Sequence, residues 1–480
     1  MVEFENLSLG SKYDKLFRII SSTSALLKIK SYLVGGFVRD NLVKLKPKKD
    51  IDIVAIGSGI KLALEVQKKL KGSKPVRIFK TFGTAMIQWK DIEIEFVGAR
   101  KESYSPESRN PKVFSGSLED DQNRRDFTIN AIAISLNKKD YGNLIDPFNG
   151  LNDLNRGIIR TPLNPNTTFS DDPLRMLRAI RFATELNFEI EKYSLEAITR
   201  NSDRIDIISK ERVVGELTKI LSCEKPSKGF YLLEETKLLD RILPELISLK
   251  GIEEIDGKRH KDNFYHTLEV VDNLCLKSKN IWLRWAALFH DIGKGSTRKF
   301  DPKTGWTFHN HEYVGAKMVY KIFKRLKMPL NEKIKYVQKI ILMSSRPIII
   351  SEDYITDSAV RRLIFDAGAD IDDLITLCEA DITTKNQIRF KKYHNNFKIV
   401  REKIVSVEEK DKLRNFQPPI NGKEIMNYFG LGPSKKIGLI KDAIKEAILD
   451  GVISNEFEAA FEKMKSEGKK LGLKPHEKSI

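Results

Sequence analysis

The sequence predicts an α+β protein: a mixed unit of strands and helices at the N-terminus, followed by a long and almost wholly helical region. Three observations carry this. Short apolar runs of strand character recur before residue 150, and after Thr161 the apolar spacing is helical nearly throughout. The turn-rich "DPFNG" at Asp146–Gly150 marks the change. The chain has 480 residues, 41% of them hydrophobic, which is enough for several packed cores and, as a soft expectation, about three domains.

Taken in order, residues 1–30 read as a helical lead-in, with Leu16, Ile19, Ile20, Leu26 and Leu27 at roughly helical spacing. Strand signals follow at Tyr32–Val34, Ile51–Ile56, Arg77–Phe79, Ala85–Trp89, Ile92–Val97 and Thr128–Ser135. Helices are expected at Phe37–Lys44 and Leu62–Leu70 between them. The polar stretch Glu102–Asp121 reads as a mobile loop. Beyond Thr161, helices are expected at Pro173–Leu186, Ser194–Asn201, Lys210–Leu221, Phe264–Leu276, Ile281–His290 and Val314–Leu326. The closing "KSEGKKLGLKPHEKSI" reads as a frayed basic tail.

Composition narrows the class of partner. A net charge of +18, spread along the chain, favours a polyanion such as nucleic acid. No apolar run approaches the roughly 20 residues needed to cross a bilayer, and the first ten residues lack the apolar core of a secretory signal. The three cysteines lie far apart, which excludes a CxxC zinc site and suits a reducing, cytoplasmic setting.

The stretch "GGFVRDNLVKLKPKKDIDIV" (Gly35–Val54) holds the first chemical signal. Residues i and i+2 of a strand share a face, so Asp50 and Asp52 project together while Ile51 and Ile53 pack behind them. Two carboxylates so close repel unless a cation intervenes, and Mg²⁺ suits such oxygens. Glu95, on the nearby "DIEIEFVGAR", offers a third carboxylate. Gly35 and Gly36 stand where a strand enters a helix, a junction whose amides can approach phosphate, and Arg39 sits one turn in. "GSGIKLAL" lacks the third glycine of a dinucleotide loop, having Leu62 there. "GKGST" lacks the upstream glycine of a phosphate-binding loop, having Leu288 there.

"LVGGFVRD" followed by "KDIDIV" resembles the catalytic motif of class II CCA-adding tRNA nucleotidyltransferases and bacterial poly(A) polymerases, within the polymerase-β-like superfamily. "RRDFTINAIA" (Arg124–Ala133), "DDPLRMLRAIRFA" (Asp171–Ala183) and "ERVVGEL" (Glu211–Leu217) resemble further motifs of that family, in family order. The resemblance implies a polymerase-β-like head, with Asp50, Asp52 and Glu95 catalytic and Mg²⁺ on the aspartates. It implies nucleotide binding by Gly35, Gly36, Arg39, Arg124, Arg125, Asp126 and Asn130. Asp172 and Arg175 would read the base edges of ATP and CTP, and Arg178 and Arg181 would touch the nucleotide or support its pocket. Independently, Asp172 before Pro173 is a good helix start, and arginines every third residue share one helical face. Asp171 stands where many members have Glu.

Four of the seven histidines are His266, His290, His309 and His311. "HD" at His290–Asp291 ends an apolar helix, an expensive place for both without partners. The order His266, His290–Asp291, Asp381 resembles the HD phosphohydrolases, all-helical and metal-dependent. That resemblance implies a divalent transition metal or Mg²⁺ on those four, with His311 as an extra ligand or substrate contact. There is no HExxH, since position 315 is Gly315.

The expected organisation is a head at 1–150, a helical neck at 151–250, an HD domain at 251–395 and a helical, RNA-binding C-terminal region at 396–480. The expected activity is addition of CCA, or part of it, to tRNA from CTP and ATP, with no DNA or membrane partner. The alternatives are a poly(A) polymerase, or an HD phosphohydrolase whose head binds RNA.

Overall fold

The computed structural model describes residues 10–43, 49–80, 83–105, 108–352, 356–411 and 419–476. They fall into two compact units, one ending at Pro244 and the other beginning at Glu245.

The first unit is built on a mixed sheet. Its strands are β1 (Lys30–Val34), β2 (Asp50–Ile56), β3 (Arg77–Phe79), β4 (Thr84–Trp89) and β5 (Ile92–Gly98). A hairpin of β6 (Arg100–Ser105) and β7 (Ser108–Ser115) stands apart, and β8 (Ala133–Ser135) and β9 (Leu144–Ile145) complete the sheet. The sheet order is β3-β4-β5-β2-β1-β8-β9, with β2 and β5 parallel and the other neighbours antiparallel. One face is apolar. Ile51, Ile53, Ala85, Ile87, Ile94 and Phe96 are all buried there. The helix Gly59–Lys69 packs on β2, β4 and β5 and against the N-terminal helix Gly10–Leu27. The other face carries Asp50 and Asp52, and past them Tyr32, Val34, Val54, Ala99 and Ala133 form a small core capped by Leu118.

The strand and helix expectations hold closely through most of this unit, with three differences. Thr128–Ser135 is not one strand: Thr128–Ala131 is a helical turn and only Ala133–Ser135 joins the sheet. The turn is held by side chains, since Thr128 Oγ1 donates to Asp153 (2.8 Å) and Asn130 Nδ2 to Asp126 (3.0 Å). Glu102–Asp121 is not a loop in its described part. It contains the β6–β7 hairpin and the helix Leu118–Asn123, which Ser117 starts in a reciprocal cap with Asp120. The helix expected at Phe37–Lys44 runs Gly36–Leu42, and Lys44 lies outside the described residues.

The rest of the described first unit is helical apart from one short parallel pair of strands, Ile158–Ile159 and Glu189–Ile190. Asp171 ends the helix Pro165–Asp171, and Asp172 Oδ1 accepts from the Leu174 amide (3.3 Å) at the start of Leu174–Glu185. That helix packs on Lys210–Leu221 and Pro226–Glu235.

Among the described residues the second unit's regular elements are helices apart from two small hairpins, at residues 254–259 and 299–307. Asp262 and Asn280 cap the helices Asn263–Cys275 and Ile281–Phe289, whose buried faces include Phe264, Leu268, Trp285 and Phe289. The C-terminal tail is not frayed in its described part: the helix Phe457–Lys470 is regular, and the His476 amide bonds the Tyr428 carbonyl (2.8 Å). Among the described residues no helix is long and apolar enough to cross a membrane.

Candidate active site and metal centre

In the first unit, β2 and β5 run in register, pairing Asp50 with Glu93 and Asp52 with Glu95. Asp50, Asp52 and Glu95 therefore lie on one face of two adjacent strands. Glu93, which the sequence reading passed over, joins them in the same register. Burial raises the Asp52 pKa. Arg125 partly offsets this, while Asp50 and Asp121 add to it. Burial and then Asp52 raise that of Glu95. Burial and like charge thus oppose ionisation of Asp52 and Glu95 more than Arg125 and Arg100 offset it, and such carboxylates on one face fit a bound metal ion.

Gly35 closes over Asp52. Its backbone sits at φ 79° and ψ −148°, a region open to glycine almost alone. A Cβ there would stand 2.9 Å from Asp52 Oδ2. Gly35→Ala is expected to cost about 1–3 kcal/mol in backbone strain and to displace the Asp52 carboxylate. A urea titration and an incorporation assay check both effects, and unchanged activity would contradict the close fit.

A cavity of about 160 Å³ lies beside this point, lined by Gly35, Gly36, Arg39, Asp52, Arg125, Asp126, Asn130, Arg178, Arg181 and Phe182. Asp50, Glu95, Arg124, Asp172 and Arg175 lie outside its wall. Arg39 is buried. Its guanidinium donates to Asp40 (2.8 Å) and Asn130 (2.9 Å), so its hydrogen bonds do not run to the aspartate pair. Asp121 takes both neighbouring arginines: Arg124 bonds one oxygen, and Arg125 Nε and Nη2 the other at 3.0 and 2.9 Å. Asp126 accepts from Arg178 Nε (2.8 Å), the Phe127 amide (2.9 Å) and Asn130 (3.0 Å). Burial opposes its charge, yet Arg178 and Asn130 outweigh that and hold its pKa down at about 2.

Deeper in the neck, Arg181 donates to Glu216 (2.6 Å) and Glu185 (2.8 Å). "ERVVGEL" therefore braces the helix Leu174–Glu185 through Glu216. The Phe182 ring lies 4.9, 5.5 and 3.9 Å from the guanidinium carbons of Arg39, Arg178 and Arg181. Three like charges thus approach one aromatic ring, and each is hydrogen-bonded to its own carboxylate: Asp40, Asp126 and Glu216. Arg175 reaches the Arg124 carbonyl (2.7 Å), which ties the neck helix to the "RRDF" segment.

In the second unit, His266, His290 and Asp381 each offer a ligand atom within 4.8 Å of the others. Asp291 lies 3.7 Å from His266 Nε2, 3.5 Å from His290 Nε2 and 3.6 Å from His311 Nε2. Each histidine has its Nδ1 engaged: His266 with Thr383 (3.0 Å), His290 with the Ala287 carbonyl (2.8 Å) and His311 with the Phe308 carbonyl (2.9 Å). All three Nε2 atoms are thereby turned to one centre, an outer-shell arrangement suited to a metal. His290 Nε2 is buried and has no hydrogen-bond partner among the described residues. Burial opposes charge on His290, but Asp291 and Asp381 outweigh it and raise the pKa to about 9. Gly293 of "HDIGK" lets this turn meet the helix His311–Arg325, since a Cβ there would stand 2.1 Å from the His311 carbonyl oxygen. Close packing, not phosphate, accounts for that glycine.

Comparison with known proteins bears on both sites. Residues 31–160 match the poly A polymerase head domain, 187–249 the probable RNA and SrmB-binding site of polymerase A, and 263–386 the HD domain. The A-adding tRNA nucleotidyltransferase of Deinococcus radiodurans is 32% identical over 352 residues, covering 72% of this chain and 78% of that protein. The chain belongs to the tRNA nucleotidyltransferase and poly(A) polymerase family. Another relative of this nucleotidyltransferase is the multifunctional CCA protein of Nitrosospira multiformis, 32% identical over 317 residues, 63% of this chain and 70% of the relative. Solved structures share the fold. That of the Bacillus stearothermophilus CCA-adding enzyme in complex with CTP has a TM-score of 0.68 at 22% identity, over 97% of this chain and 99% of that one. That of the Thermotoga maritima CCA-adding enzyme complexed with tRNA has a TM-score of 0.62 at 23% identity, over 96% and 97%.

The sequence reading of this nucleotidyltransferase missed several residues. Asp40 and Asp121 hold site arginines, the Phe182 ring lies close to three guanidinium groups, Thr383 orients His266, and Lys294 lies 2.6 Å from Asp291. Asp121 had a legible signal, since it precedes Arg124 and Arg125 by three and four residues in a helical stretch.

Proposed function

We propose that the protein is a tRNA nucleotidyltransferase that adds CCA, or part of it, to the tRNA 3′ end from CTP and ATP without a template. The observation that carries this is the placement of Asp52: one side of it faces Glu95 on the next strand, and the other opens into the cavity lined by Gly35, Arg125 and Asp126. A triphosphate in that cavity sets its α-phosphorus beside the carboxylates. Asp50 and Asp52 would hold Mg²⁺, which when bound neutralises charge on the phosphates and the leaving pyrophosphate. The tRNA 3′-oxygen forms a bond to the α-phosphorus, the bond from that phosphorus to the bridging oxygen breaks, and pyrophosphate leaves. Glu95, held above the ordinary carboxylate range by burial and by Asp52, is suited to receive the hydroxyl proton. Arg125 and Arg178 supply fixed positive charge to the cavity. Asp172 and Arg175 would read the base at the head of the neck helix. We read the enzyme as cytoplasmic, a reading supported by ATP, CTP and tRNA as its proposed substrates and by its widely spaced cysteines.

Three tRNA transcripts, ending before CCA, after the first C and after both, test this with CTP and ATP supplied. Extension of all three to one end supports full CCA addition. Extension of the last alone supports A addition, the activity named for the Deinococcus relative. Extension of none contradicts the proposal.

The second site is proposed to bind a divalent metal through His266, His290, Asp291 and Asp381, with His311 nearby, and to act as a phosphohydrolase. His290→Ala is expected to weaken binding of Mn²⁺ or Ni²⁺ by at least about tenfold. Calorimetry on the full chain checks this, and equal affinity in the variant would contradict the assignment.

A further inference from the structure

The register of the sheet continues past the catalytic carboxylates. Asp52 on β2 pairs with Glu95 on β5, Glu95 with Met86 on β4, and Met86 with Arg77 on β3. Directly paired residues share a face, so these four side chains form one row across the sheet to its edge. In the neighbouring row, Val97 pairs with Thr84 and Thr84 with Phe79. All of β3 is solvent-exposed. Phe79 is 44% exposed, and Arg77 has no ion pair among the described residues. Sheet edges usually carry charge to discourage pairing, which Arg77 supplies, but the exposed ring of Phe79 does not serve that end.

The direction of this strip matters. The cavity that would take the triphosphate lies on the β1 side of Asp52, where Gly35 ends β1. The strip leads away on the other side, over β5, β4 and β3. In phosphoryl transfer the attacking and leaving oxygens lie roughly in line. With the pyrophosphate leaving toward the cavity, the attacking hydroxyl arrives from the strip.

We infer that the edge strand β3 is a docking surface for the single-stranded 3′ end of the tRNA, with Phe79 stacking on an unpaired base and Arg77 meeting a phosphate. The inference rests on the proposed function. The occupant follows from continuity with the carboxylate row, from the charge of Arg77, and from the pairing of a flat apolar ring with a cation, which suits single-stranded nucleic acid. The surface contacts the last few nucleotides and is separate from the base-reading residues of the neck.

The test is kinetic and chemical. The variant Arg77→Ala with Phe79→Ala is expected to raise KM for tRNA about tenfold, with KM for ATP and kcat unchanged. Loss of one phosphate contact also lowers the salt dependence of tRNA binding by about one in log–log slope. Both side chains are exposed, and a thermal melt matching the wild type shows that the fold is kept. A benzophenone amino acid at position 79 should cross-link to the 3′-terminal nucleotides. An unchanged KM for tRNA, or cross-links confined to the rest of the tRNA, would overturn the inference and leave the proposed function standing. A wild-type enzyme that extends no tRNA would overturn both.

Discussion

Replacing Asp50 and Asp52 together with alanine removes nucleotide incorporation, with a loss of at least about a thousandfold, the scale of removing a group that stabilises transition-state charge. The chain still folds and still binds tRNA. The two carboxylates lie on one face of β2 beside Glu95, and they are the acceptors best placed to hold a cation at the mouth of the nucleotide cavity. Their stability cost runs the opposite way. Burial, and then the charges of Asp50 and Asp121, raise the Asp52 pKa despite Arg125, so ionised Asp52 strains the fold without metal. The variant should therefore melt at the wild-type temperature or above it, a site trading stability for activity. Radiolabelled ATP incorporation and a thermal melt on the same preparation check both halves. An inactive variant that has also lost its fold would not bear on catalysis, so the single Asp50→Asn, at an exposed position, serves as the second reading. Full incorporation in the double variant would contradict the catalytic role of Asp50 and Asp52.

Asp126→Asn is expected to cost the first unit about 3 kcal/mol, the range for removing one partner of a buried ion pair. The carboxylate takes hydrogen bonds from Arg178, the Phe127 amide and Asn130, and the substitution leaves the Arg178 charge beside a neutral amide. A pH dependence accompanies it. The folded-state pKa, about 2, lies below the ordinary value of about 3.9. The interaction is thus fully present above roughly pH 5 and is lost as pH falls through 4 toward 2, amounting to about 2–3 kcal/mol. Urea titrations at pH 7 and pH 3 check this. The gap between wild type and variant should narrow at the lower pH, and a constant gap would assign the loss to packing.

How much of this was legible in the sequence depended on the range of the interactions. The i, i+2 spacing of Asp50 and Asp52 is a local fact, and the strand obeys it. The helix Lys210–Leu221 falls where its periodicity puts it. Thr128–Ala131 was misread because "FTINAIAIS" is apolar without a period, and the partners that hold its turn, Asp126 and Asp153, are set by the fold. The β6–β7 hairpin was read as a loop because Glu102–Asp121 is polar and shows no apolar alternation, and its strands pair only with each other, apart from the main sheet. Arg39 and Asn130 are 91 residues apart in sequence, so that bond could not be foreseen from spacing. The histidine centre was legible as residue types, while the engagement of each Nδ1, which aims the rings, needed the structure.

The most direct test of CCA-type addition is the length of the products made from tRNA transcripts lacking all of CCA or only its terminal A, beside an unrelated RNA of similar size, with ATP and CTP both present. At least one of the tRNA transcripts is expected to gain a fixed addition of no more than three nucleotides and then stop, and the unrelated RNA to gain none. Open-ended adenylate tails on both kinds of RNA, with no CTP consumed, would contradict this and assign the chain to the poly(A) polymerases of its family.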